Sequence, residues 1–364
     1  LAVLLKVERI LLLMKKRVLI YHTGGTFGMA LGDTLAAQKQ SPHFLEDLLQ
    51  RVPELPSLAK IELRILCNID SSDANQKLWC LLANAIQEDW NDFDGFVIIH
   101  GTDTMAFSAT ALAFILQGLT KSIVFTGSQR PISAMRSDAR VNIIDAVELA
   151  TRGIPEVMVC FDSEIHRATR VTKYSNEHLY AFKSYNAPVI GSLGVNFKIK
   201  RKILNSIIPF AKRHMPVVNT NSNSNIASLL CVPGVMPSDS FIESLLNSIE
   251  GLIVQGFGSG NLPVTEKNWL NLCQKALLKK IPVVMSTQCE SGAVSLDLYE
   301  NGRIFSDLGV ISALDMTFEA ASVKLMIMLG RKISFEKRHE FFATPLAFEC
   351  TPVSKNKEDI GTRK

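Results

Sequence analysis

Short apolar runs alternate with longer amphipathic stretches along most of the chain. The first run is Val18-Leu19-Ile20-Tyr21, and the turn Thr23-Gly24-Gly25-Thr26 follows it closely. A polar stretch over 30–40 leads into a helix expected from about Pro42. Residues 63–66 read as a strand that ends in Asn68-Ile69-Asp70-Ser71-Ser72-Asp73, and 77–90 carry apolar side chains at helical spacing. Phe96-Val97-Ile98-Ile99 is the next strand, and 105–116 the helix after it. Ile123-Val124-Phe125 leads into Thr126-Gly127-Ser128-Gln129, then a helix over 139–151 and a strand over 157–161. Unbroken apolar runs of this length suit strands buried on both faces, and their alternation with helices predicts a parallel sheet covered on each side.

The alternation stops between 199 and 225. Basic and apolar residues mix there, and Asn219-Thr220-Asn221-Ser222-Asn223-Ser224-Asn225 is a polar run suited to a solvated linker. Strand-like runs resume at 227–232, 252–255 and 281–285. The expected fold is therefore α/β: a large N-terminal domain with a parallel-rich sheet flanked by helices, plus a smaller C-terminal α/β domain. The expected organisation is an upstream extension over 1–14, domains over 15–198 and 226–350 joined by a linker over 199–225, and a flexible tail over 351–364.

Composition narrows the function class. The 364 residues leave room for two domains, and 47% hydrophobic with 20% charged is ordinary for a soluble chain. The net charge is only +4 and the basic residues are scattered, so no nucleic-acid footprint is expected. Seven cysteines without a CxxC support neither a disulfide framework nor a zinc site. Buried thiols in a reducing compartment fit better, which points to the cytoplasm. Lys6, Glu8 and Arg9 interrupt the apolar start, so no membrane span of about 20 apolar residues and no secretory signal is expected. Met14-Lys15-Lys16-Arg17 reads as a natural start just before the first strand.

Two strand-end turns carry the candidate chemistry. In open α/β sheets ligands bind at the carboxyl ends of the strands. The Gly-Gly pair lets the main chain turn tightly and approach a ligand, and it exposes Thr26, a hydroxyl that can act as a nucleophile beside a base. A plain turn with a capping hydroxyl accounts for the same residues. In His100-Gly101-Thr102-Asp103-Thr104, Thr102 or Asp103 lies near a helix N-cap, where hydroxyl and carboxylate satisfy free amides. The functional alternative leaves Asp103 to hold a substrate amine and Thr102 to reach the reacting carbonyl. His100 reads as a semi-buried, hydrogen-bonded histidine rather than a base. Lys173 is an ordinary solvated lysine unless it is brought beside Thr102 and Asp103, where it could move a proton. Ser71 and Ser72 occupy the equivalent place after another strand and could hold a carboxylate. Gly256-Phe257-Gly258-Ser259-Gly260-Asn261 lacks the third glycine of a dinucleotide fingerprint, and no helix clearly opens there.

Taken together these residues resemble the bacterial-type L-asparaginases, most closely the cytoplasmic type I branch. Thr23 to Met29 is similar to that family's first signature and Gly95 to Met105 to its second. Asp70 to Asp73, Thr126 to Gln129, Arg136-Ser137-Asp138, Thr172-Lys173, Gly258 to Asn261 and Thr287-Gln288-Cys289 fall in matching order. The resemblance implies hydrolysis of L-asparagine to L-aspartate and ammonia through an acyl-enzyme. It implies Thr26 as nucleophile, with Thr102, Asp103 and Lys173 in proton transfer. It further implies Gly25, Ser71, Ser72 and Asp103 as substrate contacts, with no metal and no cofactor. Sites shared between subunits of a homodimer or homotetramer follow, and Asn261 would reach a neighbour's site.

Two positions depart from the family pattern. The family carries an activating tyrosine on the loop after the first signature, and none occurs from Phe27 to Gln40. Lys173 acting through Thr102, or a bound water, would have to substitute. Gln255 stands where type I enzymes with an allosteric asparagine site can carry arginine, which argues against that regulation. Alternatives are a catalytically weak amino-acid-binding homologue, a glutaminase, or an ammonia-releasing amidotransferase subunit; the last would need an extra N-terminal domain that thirteen residues cannot supply.

Overall fold

The computed structural model describes residues 15–29, 44–203 and 215–352. The expected extension, the 30–40 stretch, the middle of the expected linker and all but the start of the expected tail lie outside these residues. The chain divides into two compact units between Thr220 and Asn221.

The first unit is built on an eight-stranded sheet. Its strands are β1 (Arg17–Gly24), β2 (Lys60–Ile69), β3 (Gly95–Ile99), β4 (Ser122–Thr126), β5 (Val157–Phe161), β6 (Glu164–Arg167), β7 (Gly191–Leu193) and β8 (Phe197–Ile199). The spatial order is β8-β7-β6-β5-β4-β3-β1-β2. The run β2-β1-β3-β4-β5 is parallel, while β6, β7 and β8 extend it antiparallel. The longer helices are α1 (Phe44–Arg51), α2 (Gln76–Glu88), α3 (Met105–Ile115) and α4 (Ala139–Ala150).

Alternation along β1 explains the layering. Val18 and Ile20 share a core with Leu48 of α1 and with Ile143, Ala146 and Val147 of α4. Tyr21 points to the opposite face, where its ring stacks on Phe96 and Phe96 stacks on Trp90. Asn75 caps α2 by accepting from the Lys77 amide at 2.9 Å. Trp79 of α2 donates to Ser108 of α3 at 3.0 Å. β2 runs well beyond the four residues expected because its whole length pairs with β1, from Lys60 opposite Arg17 to Ile69 opposite Gly24.

The second unit has a four-stranded parallel sheet, β9 (Ile226–Leu230), β10 (Gly251–Gly256), β11 (Val283–Thr287) and β12 (Ile311–Ser312), in sequential order. Leu252, Val254, Val283 and Met285 face Ile242, Trp269, Leu272 and Phe305. Ile253 and Val284 face Ala321, Leu325 and Phe342 on the other side.

The region expected as linker is more structured than its composition suggests. Phe197–Ile199 is the sheet-edge strand β8, and Val217–Val218 pairs antiparallel with Leu116–Gln117. The asparagine run is held by turns of its own: Asn223 donates from its amide to Met326 O at 2.9 Å and accepts from the Asn225 amide at 2.8 Å. Beyond residue 350 the chain is still tied, since Thr351 donates to both carboxylate oxygens of Asp315 at 2.8 and 2.6 Å. Among the described residues no helix is long and apolar enough to cross a membrane.

A buried ion pair closes the second unit. Lys324, in the helix Phe318–Gly330, and Glu349 are both 0% exposed. The three donors of Nζ go to Phe342 O and Thr344 O, each at 2.9 Å, and to Glu349 Oε1 at 2.5 Å. Glu349 also accepts the Leu346 and Ala347 amides at 2.8 to 3.0 Å. Replacing Lys324 with Met leaves a buried carboxylate without its cation, and chemical denaturation should register a loss of about 3–5 kcal/mol. A loss below about 1 kcal/mol would show that the pair does not hold this segment.

Three histidines set the acid limit of the first unit. Burial pushes the imidazoles of His22, His100 and His166 down to about 4. The unfolded chain binds these protons near the ordinary value of about 6.5, so stability rises with pH across that window and falls as pH drops from 6.5 towards 4. Each contributes roughly 1.4 kcal/mol per pH unit. Asp145, which burial raises to about 6, works in the opposite direction, and so do Asp138, Glu156 and Asp162, whose carboxyls burial also raises. A His22→Gln variant is therefore expected to lose less melting temperature than the wild type between pH 6.5 and 4.5; an identical loss would contradict the burial of that ring.

Candidate active site

The carboxyl ends of β2, β1 and β3 lie side by side. In a sheet of order 2-1-3-4-5 the connections leave in opposite directions between β1 and β3, and a crevice opens at that point. Glycines let the loops meet there. A Cβ on Gly25 would stand 2.4 Å from Gly101 Cα, and one on Gly101 would stand 2.6 Å from both Cβ and Oγ of Ser71. Gly25 adopts φ 84°, open to glycine at no steric cost, and its amide donates to Ile69 O at 3.2 Å. The turn after β1 and the turn after β3 therefore meet main chain to main chain, and the Ser71 side chain packs against Gly101 from the serine loop. Thr26 opens a short turn, Thr26–Gly28, anchored by the buried Phe27.

The turn after β3, His100 to Thr104, does not cap α3 with Thr102 or Asp103. Thr104 occupies the N-cap position of α3 without a side-chain capping bond, and its hydroxyl donates to Ser71 O at 2.6 Å. Thr102 and Asp103 are committed elsewhere. Lys173, on the short strand Thr172–Lys173, donates from Nζ to Thr102 Oγ1 at 2.7 Å and to Asp103 Oδ1 at 2.6 Å. Thr102 is 6% exposed, the Lys173 side chain 14% and the Asp103 side chain 67%. The cluster thus runs from a buried hydroxyl to a solvent-facing carboxylate, with the lysine joining them. This is the proximity that spacing along the chain could not establish.

Other expected residues separate. Ser71 is buried against Gly101, whereas Ser72 is exposed. The Ser72 amide and hydroxyl both donate to Asp70 Oδ1, at 2.8 and 2.7 Å, and these bonds hold the Asp70 carboxyl below its ordinary range. His100 is fully buried rather than semi-buried, with Nδ1 2.7 Å from Gly101 O and no partner at Nε2. Desolvation keeps the ring neutral, which suits a packing role.

Asn261 belongs to the second unit. It closes a tight turn in which its amide donates to Phe257 O at 2.8 Å and the Phe257 amide donates to Asn261 O at 2.9 Å. The next helix begins only at Asn268, so the glycine-rich string opens no helix and lacks a dinucleotide site's anion-binding end. Gln255, at the end of β10, gives its carbonyl to the Cys231 amide and to Gln288 Nε2, each at 3.0 Å. No cluster of three metal-ligating side chains occurs among the described residues.

One site residue lay in a quoted motif but carried no expected role. Gln129, in the loop after β4, accepts the Thr102 hydroxyl at Oε1 (3.0 Å) and donates from Nε2 to His178 O at 3.2 Å. Its position at a strand end was the only signal in the sequence.

Comparison with known proteins places the chain. Residues 17–205 match the model of the asparaginase N-terminal domain, and residues 225–342 match that of the glutaminase/asparaginase C-terminal domain. L-asparaginase 1 of Escherichia coli K12 is 33% identical, with 93% of this chain and 99% of that protein covered. A 60 kDa lysophospholipase of Mus musculus is 34% identical over 93% of this chain, but the chain spans only 63% of that protein's length. The solved structure of the thermostable L-asparaginase from Thermococcus kodakarensis superposes with a TM-score of 0.83 at 31% identity, covering 93% of this chain and 100% of that one. With both halves matched in order and the two-domain fold shared, the chain belongs to the asparaginase family.

Proposed function

We propose that the chain is an amidohydrolase that converts L-asparagine and water to L-aspartate and ammonia. The observation that carries this reading is the Lys173–Thr102–Asp103 cluster, held at 2.6 to 2.7 Å beside the turn that presents Thr26. The Thr26 hydroxyl attacks the side-chain amide carbon, its proton passes to the departing nitrogen, and ammonia leaves. Water then attacks the acyl carbon, returns a proton to Thr26 and releases aspartate. Thr102 and Lys173 provide the proton path, since an adjacent base is what makes a hydroxyl nucleophilic at neutral pH. Lys173 engages Asp103 Oδ1, which leaves Oδ2 for a substrate ammonium, and Gly25 and Ser71, packed around Gly101, are the proposed contacts for the carboxylate. Ser72 and Asn261 complete the proposed contacts: Ser72 by turning its hydroxyl from Asp70, to which its amide and hydroxyl both donate in the structure, and Asn261 through a neighbouring copy in a homodimer or homotetramer. No metal or cofactor takes part in this scheme, and the proposed compartment is the cytoplasm.

The usual activating tyrosine is missing from the sequence of the loop after Thr26, most of which lies outside the described residues. Lys173 acting through Thr102, or a water on Thr102, takes its place in this scheme. The family description that joins glutaminase to asparaginase favours L-glutamine as the second candidate substrate. The two amides differ by one methylene, worth about 1–3 kcal/mol of discrimination.

Purified protein is expected to release ammonia from L-asparagine faster than from L-glutamine. Thr26→Ala should lower turnover by more than about 1,000-fold, and Lys173→Met by about 100- to 10,000-fold, with melting temperatures unchanged. Undiminished turnover in Thr26→Ala would refute the nucleophile. Asparagine that raises the melting temperature of the wild type without any ammonia would make the chain a binding protein instead.

A further inference from the structure

At its carboxyl end β1 breaks away from both neighbouring strands. The ladder with β3 stops at His22, opposite Ile99. The pairing with β2 jumps from His22 opposite Ile65 to Gly24 opposite Ile69, so β2 uses four residues where β1 uses two. The buried main chain in this gap needs partners outside the ladder. The Thr23 hydroxyl donates to Ile99 O at 3.0 Å, and Thr23 O accepts the Cys67 thiol at 3.4 Å. The Gly25 amide reaches Ile69 O at 3.2 Å. The buried Gly24 amide turns to a side chain instead: it donates to Nδ1 of His22 at 3.0 Å.

An amide N–H only donates, so Nδ1 carries the lone pair and the ring proton sits on Nε2. The ring is 0% exposed, and burial keeps it neutral. Phe44, the first residue of α1, packs edge-on against it, with centroids 4.8 Å apart and planes at 75°. The acceptor is thus held towards the amide two residues before Thr26. Gly24 is itself pressed on β2: its φ is 117°, and a Cβ there would stand 2.2 Å from Ile69 O. The turn has little freedom to find the amide another partner.

We infer that His22 is a positioning residue that fixes the Gly24–Gly25 turn, and through it the place of the Thr26 hydroxyl, by accepting the Gly24 amide on Nδ1. It acts through the main chain and takes no proton from the reaction. Gly25 keeps its own bond to Ile69 and its packing on Gly101. Loss of the ring nitrogen therefore loosens the nucleophile more than the carboxylate contacts. The effect on rate rests on the amidohydrolase reading; the hydrogen bond does not.

The test compares His22→Leu, which has no acceptor, with His22→Asn, whose Oδ1 stands in the place of Nδ1. Both lose the ring against Phe44, so the difference between them isolates the acceptor. The buried leucine should melt higher than the buried asparagine. Activity should rank the other way: kcat for ammonia release, measured where both are folded, falls about tenfold in His22→Leu and largely recovers in His22→Asn, with KM within about threefold of wild type. A kcat that follows the melting temperatures, or that is unchanged in His22→Leu, overturns the positioning role. NMR reads the bond without activity. At pH 7 the wild type should show an unprotonated Nδ1 on His22, and the Gly24 amide should exchange with solvent at least about tenfold faster in His22→Leu. A proton on Nδ1, or equal exchange, overturns the inference, and these two readings decide it should His22→Asn not fold. The expected NMR result in a wild-type protein that releases no ammonia upholds the anchor and refutes the amidohydrolase reading.

Discussion

The site depends on a contact between two residues without side chains. Gly25 and Gly101 pass so close that a Cβ on either would overlap the other's neighbourhood, and Gly101 lies equally close to Ser71. Each belongs to a turn at the end of a parallel strand, and hydrogen bonds keep the strands themselves in register. The gap between the turns is therefore set by backbone, which is stiffer than any pair of side chains. Thr26 follows one glycine and Thr102 the other, so the spacing of the two hydroxyl-bearing turns is inherited from this contact. Side chains held in this way need little reorganisation to meet a ligand.

Around that contact the polar groups are used with little slack. Thr104 gives up helix capping to tie α3 to the serine loop, and Asp138 gives up capping α4 to fix the loop of Gln129. The start of α3 loses a side-chain cap worth about 1 kcal/mol, whereas at α4 the Ser137 hydroxyl accepts the Ala139 amide in place of Asp138. Each start gains a tether that points at the cluster of Thr102, Asp103 and Lys173. The second unit follows different rules: its buried ion pair is satisfied on every donor and joins the core helix to the chain's last described segment.

Much of the parallel sheet was legible because its strands are short apolar runs followed at once by glycine or hydroxyl-rich turns, as at Ile98-Ile99 before His100 and Phe125 before Thr126. The antiparallel extension was not, because β7 and β8 are three residues each and carry no periodicity. The asparagine run looked like linker by composition, yet Asx turns and bonds to Met326 and Glu250 hold it. In the site, Thr26, Thr102, Asp103 and Ser71 could be named from strand-end position. The approach of Lys173 could not, since 70 residues separate it from Asp103 and only the fold closes that distance. Gln129 escaped for another reason: its place between Thr102 and His178 O is a matter of which amide atom faces which partner, and no pattern of residue types records that.

The central claim is that main-chain contact at the two glycines spaces the site. The direct test is ammonia release by Gly101→Ala at a temperature where it remains fully folded by circular dichroism. A methyl there must displace Ser71 or the Gly25 turn, and a misplacement near 1 Å is worth about 100-fold in rate. The account predicts a folded protein whose kcat falls by about that factor. A folded Gly101→Ala protein with wild-type turnover would contradict it.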